Sequence, residues 1–224
     1  MSKIALVTGA SSGIGWATAE LLAAEGYNLI ICGRREERLA ELAGKVAVKT
    51  LSLVFDVRDK EAVKEALGSI PKEWSRIDVL VNNAGAGWGA PFGQFPEQGW
   101  DKTMNVNAKS PFFLIQALAP LLKANASADN TASIINIGSV AGMVANAVDN
   151  FSYAASKAAI HQLARVLSTE LARDHIRVNA IAPGWIATPL TQALQDDPVR
   201  AGPILARTPL GRWGTPEDVA GPVL

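Results

Sequence analysis

The stretch Ile4-Ala5-Leu6-Val7-Thr8-Gly9-Ala10-Ser11-Ser12-Gly13-Ile14-Gly15 decides the fold. Residues 4–7 are uniformly apolar and read as a short buried strand. A glycine-rich turn, residues 8–15, follows at once and opens into a helical pattern over 16–24. Strand, glycine-rich turn and helix in that order is the setting in which a backbone can hold the pyrophosphate of a dinucleotide. Gly9, Gly13 and Gly15 permit a tight turn and close approach of phosphate, and Ser11, Ser12 and Ile14 complete the candidate cradle. The helix start adds unpaired N–H groups and the positive end of its dipole. The spacing Gly-x-x-x-Gly-x-Gly departs from the more familiar Gly-x-Gly-x-x-Gly, and an ordinary strand-to-helix turn would look the same locally.

Outward from this unit, short apolar runs alternate with longer helical patterns. Runs at 29–32, 51–55, 79–81, 133–137 and 178–181 read as further buried parallel strands. Helical patterns fall near 14–25, 35–43, 60–67, 97–108, 110–123 and 152–173. This alternation predicts an α/β fold: a single-domain, doubly wound parallel sheet over residues 1–224 with helices on both faces. Ligands are then expected beyond the carboxyl ends of the strands.

Bulk properties narrow the function. In 224 residues Lys plus Arg and Asp plus Glu number 21 each, so neither nucleic acid nor an anionic membrane is an expected partner. A chain of this length buries about 70–75% of its unfolded surface, enough for an unaided core. Its one cysteine, Cys32, has no partner for an internal disulfide and fits a reducing, cytoplasmic compartment. With His161 and His175 as the two histidines, no metal-ligand cluster is visible. The first apolar run is too short for a signal peptide, and 111–122, interrupted by Gln116 and Pro120, falls short of a membrane span of about 20 residues.

A second motif carries the chemistry. In Tyr153-Ala154-Ala155-Ser156-Lys157 a phenol and an ammonium lie four apart, on one face of the 152–173 helix. Lowering a phenol from about 10 toward about 7 needs roughly 4 kcal/mol in favour of phenolate, which a close positive charge can supply. The spacing alone also suits a half-buried Tyr beside a snorkelling Lys. His161 continues the line at i+8, where packing or a subunit contact is the expected role and a third catalytic role the sharper alternative.

The two motifs in this order and separation resemble the short-chain dehydrogenase/reductase family. The likeness continues at Asn82-Asn83-Ala84-Gly85, Asn105-Val106-Asn107, Asn136-Ile137-Gly138-Ser139, Pro183-Gly184-Trp185-Ile186-Ala187-Thr188 and Leu210-Gly211-Arg212-Trp213-Gly214-Thr215-Pro216-Glu217-Asp218. It covers essentially the whole chain and implies a Rossmann-like oxidoreductase interconverting a carbonyl and an alcohol. The catalytic set it implies is Asn107, Ser139, Tyr153 and Lys157. Tyr153 would transfer the proton, Lys157 would favour the phenolate and bond the nicotinamide ribose, and Ser139 would orient the substrate oxygen. Asn107 matches the position that holds a water leading from Lys157 to solvent. Ser139 also reads as a turn serine, and Asn107 as a residue satisfying backbone at a helix irregularity. One departure stands out: Gly138 occupies a position where many relatives carry another serine.

Aligned on the family, Gly33 stands where an acidic residue would hold the ribose 2′-hydroxyl, and Arg34 and Arg35 follow it. Guanidinium forks match phosphate oxygens, so NADP(H) is expected over NAD(H), with Arg34 the main ligand of the 2′-phosphate. Alternatively the pair is a solvated helix start balanced by Glu36, Glu37 or Glu41. Asp56 and Val57 would flank the adenine, Asn83, Ala84 and Gly85 would line the adenosine crevice, and Pro183, Gly184, Ile186 and Thr188 would meet the nicotinamide side. The loops 86–96, 140–151 and 185–207 would choose the substrate, with Trp88 and Trp185 as candidate contacts for an apolar portion of a ketone, aldehyde or 3-oxoacyl thioester. Relatives commonly assemble as homodimers or homotetramers. They also continue past the Pro-Glu-Asp motif into a last edge strand, so the chain, ending at Leu224, is expected to be short at its C-terminus. A sensor or scaffold that binds NADP(H) with little turnover is the alternative reading.

Overall fold

The computed structural model describes residues 2–145 and 149–224. Every strand expected from the apolar runs is present: β1 Ile4–Thr8, β2 Asn28–Gly33, β3 Thr50–Val54, β4 Val79–Asn82, β5 Ala132–Ile137 and β6 Ile176–Ile181. Among the described residues they form one parallel sheet in the order β3-β2-β1-β4-β5-β6. The order reverses between β1 and β4, so the crevice beyond their carboxyl ends is the natural binding place.

Helices cover both faces because alternate strand residues point to opposite sides. Ile4 and Leu6 join Ile30, Leu80 and Ile134 in a core shared with α3 (Lys60–Gly68), α5 (Ser110–Lys123) and α6 (Phe151–Leu171). Ala5 and Val7 point the other way and pack with Leu29, Ile31, Val79 and Val81 against α1 (Gly13–Ala24) and α2 (Glu36–Lys45). Cys32 is fully buried in the first of these cores. Strands β1, β2, β4 and β5 are buried on both faces, as uninterrupted apolar runs require. The outer strands β3 and β6 differ, with exposed residues alternating along them.

Two elements depart from the expected layout. The pattern at 97–108 resolves into α4 (Glu97–Met104) and a π-turn, Asn105–Lys109, which runs straight into α5. In the loop 185–207 lie two unexpected helices, α7 (Gln192–Gln195) and α8 (Pro198–Ala206), the second capped by the Asp197 carboxylate on the Val199 and Arg200 amides. The last helix, α9 (Pro216–Ala220), starts with a reciprocal cap between Thr215 and Asp218. Of the expected loop 140–151, residues 146–148 lie outside the described residues.

Candidate active site

The glycine-rich turn is fixed from below by one hydroxyl. Thr8 Oγ1 accepts the amides of Asn83 and Ala84, each at 3.0 Å, and donates to the Val81 carbonyl at 3.3 Å. Asn83 Nδ2 donates back to the Thr8 and Gly9 carbonyls at 3.0 and 3.2 Å. The turn after β1 and the segment after β4 are thereby one unit. Gly9 has φ +66°, and a side chain there would meet Ala84 Cα at 2.9 Å, so only glycine fits. Helix α1 begins with Ser12 at its N-cap, without a side-chain cap and without an acidic residue in its first turn. An uncapped, acid-free helix start suits a phosphate, and the residues around it agree.

Arg35, at the start of α2, lays its guanidinium across this turn. It donates to Ser11 Oγ at 3.0 Å, to the Ser11 carbonyl at 3.1 Å and to Ser12 Oγ at 2.9 Å. Arg38, one turn on, lies 4.6 Å from the centroid of the Trp16 ring. Arg34 instead points outward, 72% exposed, and faces the Asp56 carboxylate at 3.9 Å. Asp56 is held chiefly by Arg58, at 2.7 Å, and that hydrogen bond keeps its carboxyl below the usual range. Val57 packs against the core, and Thr188 sits against Gly13, whose added Cβ would lie 3.2 Å from Thr188 Cγ2.

The four expected catalytic side chains meet beyond β4 and β5. Lys157 is buried, and its Nζ donates to the Ile137 carbonyl at 2.6 Å, 5.6 Å from the centre of the Tyr153 ring. The Ser139 hydroxyl hydrogen-bonds the Tyr153 phenol, and also accepts the Ala141 amide at 3.1 Å. Asn107, in the π-turn, grips Ala86 from both sides: Oδ1 accepts its amide and Nδ2 donates to its carbonyl, each at 2.9 Å. Nδ2 also donates to Ser156 Oγ at 3.0 Å, and Ser156 in turn donates to the Tyr153 carbonyl at 2.8 Å. A Cβ on Gly85 would lie 3.6 Å from Asn107 Oδ1 and 3.9 Å from Lys157 Nζ. Asn107 thus ties the Ala86 backbone to the helix by two bonds.

Burial dominates the electrostatics of the Tyr153–Lys157 pair. Burial raises the Tyr153 phenol above its ordinary pKa, and the Ser139 hydrogen bond only partly offsets this. Burial also pushes the Lys157 ammonium down to about 8, with its proton directed at Ile137. The desolvation that strengthens charges here also penalises making one.

Trp88 and Trp185 are both half-buried and each has an aromatic, cationic or backbone neighbour. Trp88 packs over Gly99, with Lys102 Nζ 5.3 Å from its ring, and Trp185 meets Trp213 edge-on at 5.9 Å. Pro183 accepts the Val140 amide at 3.0 Å, joining the segments after β5 and β6. Residues Ile186 and Gly214 form a parallel bridge, with the Ala187 amide on the Gly214 carbonyl at 2.8 Å. The sequence reading missed Thr8 as a hub and Ser156 as the link between Asn107 and Tyr153. Their signal lay in plain view, one residue before Gly9 and one before Lys157.

Comparison with known proteins places this arrangement. A family model for the short chain dehydrogenases matches residues 3–199, and the chain belongs to that family. It is 41% identical over 220 residues to a rhamnolipids biosynthesis 3-oxoacyl-[acyl-carrier-protein] reductase of Pseudomonas aeruginosa, covering 97% of this chain and 86% of that one. It is 38% identical over 223 residues to a 2-dehydro-3-deoxy-D-gluconate 5-dehydrogenase of Escherichia coli, covering 99% and 87%. Among solved structures, a Pseudomonas aeruginosa RhlG/NADP active-site complex matches with TM-score 0.91 and 42% identity, over 99% of this chain and 87% of that one. The fold and the oxidoreductase class expected from the sequence are those of these relatives.

Proposed function

We propose that the protein interconverts a carbonyl and an alcohol with NADP(H), Tyr153 serving as acid and base. One observation carries this reading: Ser139, Tyr153, Lys157 and Asn107 converge beside a glycine-rich helix start that Arg35 overlies. When bound, NADP(H) supplies or accepts the hydride. As charge grows on the carbonyl oxygen, it must be met at one point by a hydrogen bond and a proton. Ser139 bonds that oxygen and sets its angle to the phenol. Tyr153 gives the proton in reduction and takes one in oxidation. Lys157, released from Ile137, holds the nicotinamide ribose, and its charge favours the phenolate that Tyr153 becomes.

Arg34, exposed beside Asp56, and Arg35, over the Ser11–Ser12 turn, would bind the 2′-phosphate together, which supports NADP(H) over NAD(H). Asp56 and Val57 serve the adenine side, and Pro183, Gly184, Ile186 and Thr188 the nicotinamide side. The rim near Tyr153 is apolar: Phe151 meets Phe92 and Phe95 edge-on at 5.6 and 5.7 Å, and Met143, Val144 and Leu190 are exposed. That supports a ketone, aldehyde or 3-oxoacyl thioester with a hydrophobic portion over a polyhydroxy acid. Partly exposed Trp100 and Phe113 on α4 and α5 favour a homodimer or homotetramer, and a single buried thiol suits the cytoplasm. A sensor or scaffold without turnover finds no support, since all four catalytic side chains are present.

Loss of NADPH absorbance against a panel of ketones, aldehydes, 3-oxoacyl thioesters and keto-gluconates tests the reading. Turnover is expected on the apolar substrates, with Tyr153→Phe reducing kcat by about 10²–10⁴-fold while NADPH still binds. Near-normal turnover in Tyr153→Phe, or NADPH binding without oxidation across the panel, would overturn it.

A further inference from the structure

The imidazole of His161 sits against the backbone of the catalytic serine. Its Nε2 lies 3.2 Å from the Ser139 amide nitrogen and 3.2 Å from the Ser139 carbonyl oxygen. One nitrogen cannot serve both, because donating to the carbonyl and accepting the amide require opposite protonation. The Ser139 carbonyl already accepts the Gly142 amide at 3.0 Å, whereas the Ser139 amide has no second acceptor among the described residues. Ser139 is 7% exposed, and a buried N–H without a partner is strongly disfavoured. The ring therefore has its lone pair on Nε2 and its proton on Nδ1. Burial, with the Lys157 and Arg165 charges behind it, holds the imidazole below its ordinary pKa, although the Ser139 carbonyl pulls the other way.

Gly138 is what admits the ring. A Cβ at this position would stand 2.8 Å from His161 Cε1, closer still to Nε2, and 3.0 Å from the Ile181 carbonyl oxygen. The departure at Gly138 and the histidine at i+8 from Tyr153 are thus two halves of one device. Resting on the carbonyl–alcohol reading above, we infer that His161 is a positioning residue for Ser139, its Nε2 accepting the Ser139 amide through the space that Gly138 leaves. The amide bond fixes the residue whose hydroxyl meets Tyr153, in extended backbone at φ −171° and ψ 151°. The imidazole neither touches substrate nor transfers a proton.

The test combines kinetics with spectroscopy. His161→Leu, which keeps bulk but no acceptor, should lower kcat roughly ten- to a hundredfold, as misplacement of a reacting group does. NADPH affinity, read by fluorescence, should stay within about twofold, because the residue acts through Ser139 and not through the nucleotide site. His161→Gln places an amide oxygen where Nε2 stood and should recover most of the loss. Gly138→Ala should lower kcat in the wild-type background and cost less with His161→Ala, where only the Ile181 carbonyl contact remains, the non-additivity that contact implies. Nitrogen-15 ring spectra of the purified protein, resolvable with two histidines, should show Nε2 of His161 unprotonated whether or not any substrate is turned over. A protonated Nε2 overturns the inference, and so does a His161→Leu variant with normal kcat or a His161→Gln variant no better than it. Absence of turnover in wild type would instead sink the carbonyl–alcohol reading and leave the ring spectrum to decide the hydrogen bond.

Discussion

Replacing Asn107 by leucine, which branches at the same carbon but carries two methyls in place of the amide oxygen and nitrogen, removes its hydrogen bonds. Three bonds vanish: two to the Ala86 backbone at 2.9 Å and one to Ser156 at 3.0 Å. Ala86 is half-buried, so water partly replaces the lost partners and each orphaned group there is worth about 1 kcal/mol. The Asn107–Ser156 bond is buried and contributes about 1–2 kcal/mol. Asn107→Leu should therefore lose about 3–4 kcal/mol, a fall in Tm of about 6–16 °C for a domain of this size. Asn107→Asp should do no better, since it keeps an acceptor for the Ala86 amide but turns the donor toward the Ala86 carbonyl into a second acceptor. Urea unfolding without cofactor, followed by fluorescence, measures the difference. A loss below about 0.5 kcal/mol for Asn107→Leu would show that these bonds do not hold the 85–87 segment in place.

Three further outcomes follow from the same site. Lys157 titrates near 8 when folded and at 10.5 when unfolded, so below about pH 8 its burial opposes folding in full, and the opposition fades as pH rises toward 10.5. The stability of Lys157→Met relative to wild type should thus be greater at pH 7 than at pH 10, by on the order of 2 kcal/mol; an equal difference at both pH values would refute the shift. Gly9→Ala forces a side chain into a positive-φ position against Ala84 and should destabilise the fold by about 1–3 kcal/mol, seen as a lower Tm. Arg35→Ala should weaken NADPH binding about tenfold or more while leaving NADH binding nearly unchanged, measured by fluorescence titration. Equal effects on the two nucleotides would remove the arginine from the 2′-phosphate.

Much of this was legible because the strands are uninterrupted apolar runs and their carboxyl ends carry polar motifs. All six strands and both faces of helices could be read from period and punctuation. The candidate site residues came from the family resemblance, at polar motifs that follow the strands, and the structure brings Asn107, Ser139, Tyr153 and Lys157 close to one another. What escaped was whatever depends on side-chain direction. Arg34 and Arg35 are adjacent, and only the twist entering α2 decides that Arg35 crosses the turn while Arg34 faces Asp56. The π-turn at Asn105–Lys109 has no composition of its own and exists through what Asn107 reaches across to bind. Sequence also does not report that Trp88 lies against Gly99 or that Trp185 meets Trp213 edge-on. The phenol's upward shift lay equally out of sight, since burial, which sequence spacing does not report, outweighs the Ser139 hydrogen bond.

The lone thiol of Cys32, walled in between the sheet and its helices, gives the molecule an internal clock for its own opening. Burial drives its ionisation well above the ordinary range, so a thiol reagent finds no nucleophile until β2 leaves the sheet. When reclosing is fast, the rate of its labelling tracks the fraction of molecules that have come apart. Every substitution discussed above can then be ranked by one mass-spectrometric time course on unmodified protein, with no dye, tag or denaturant.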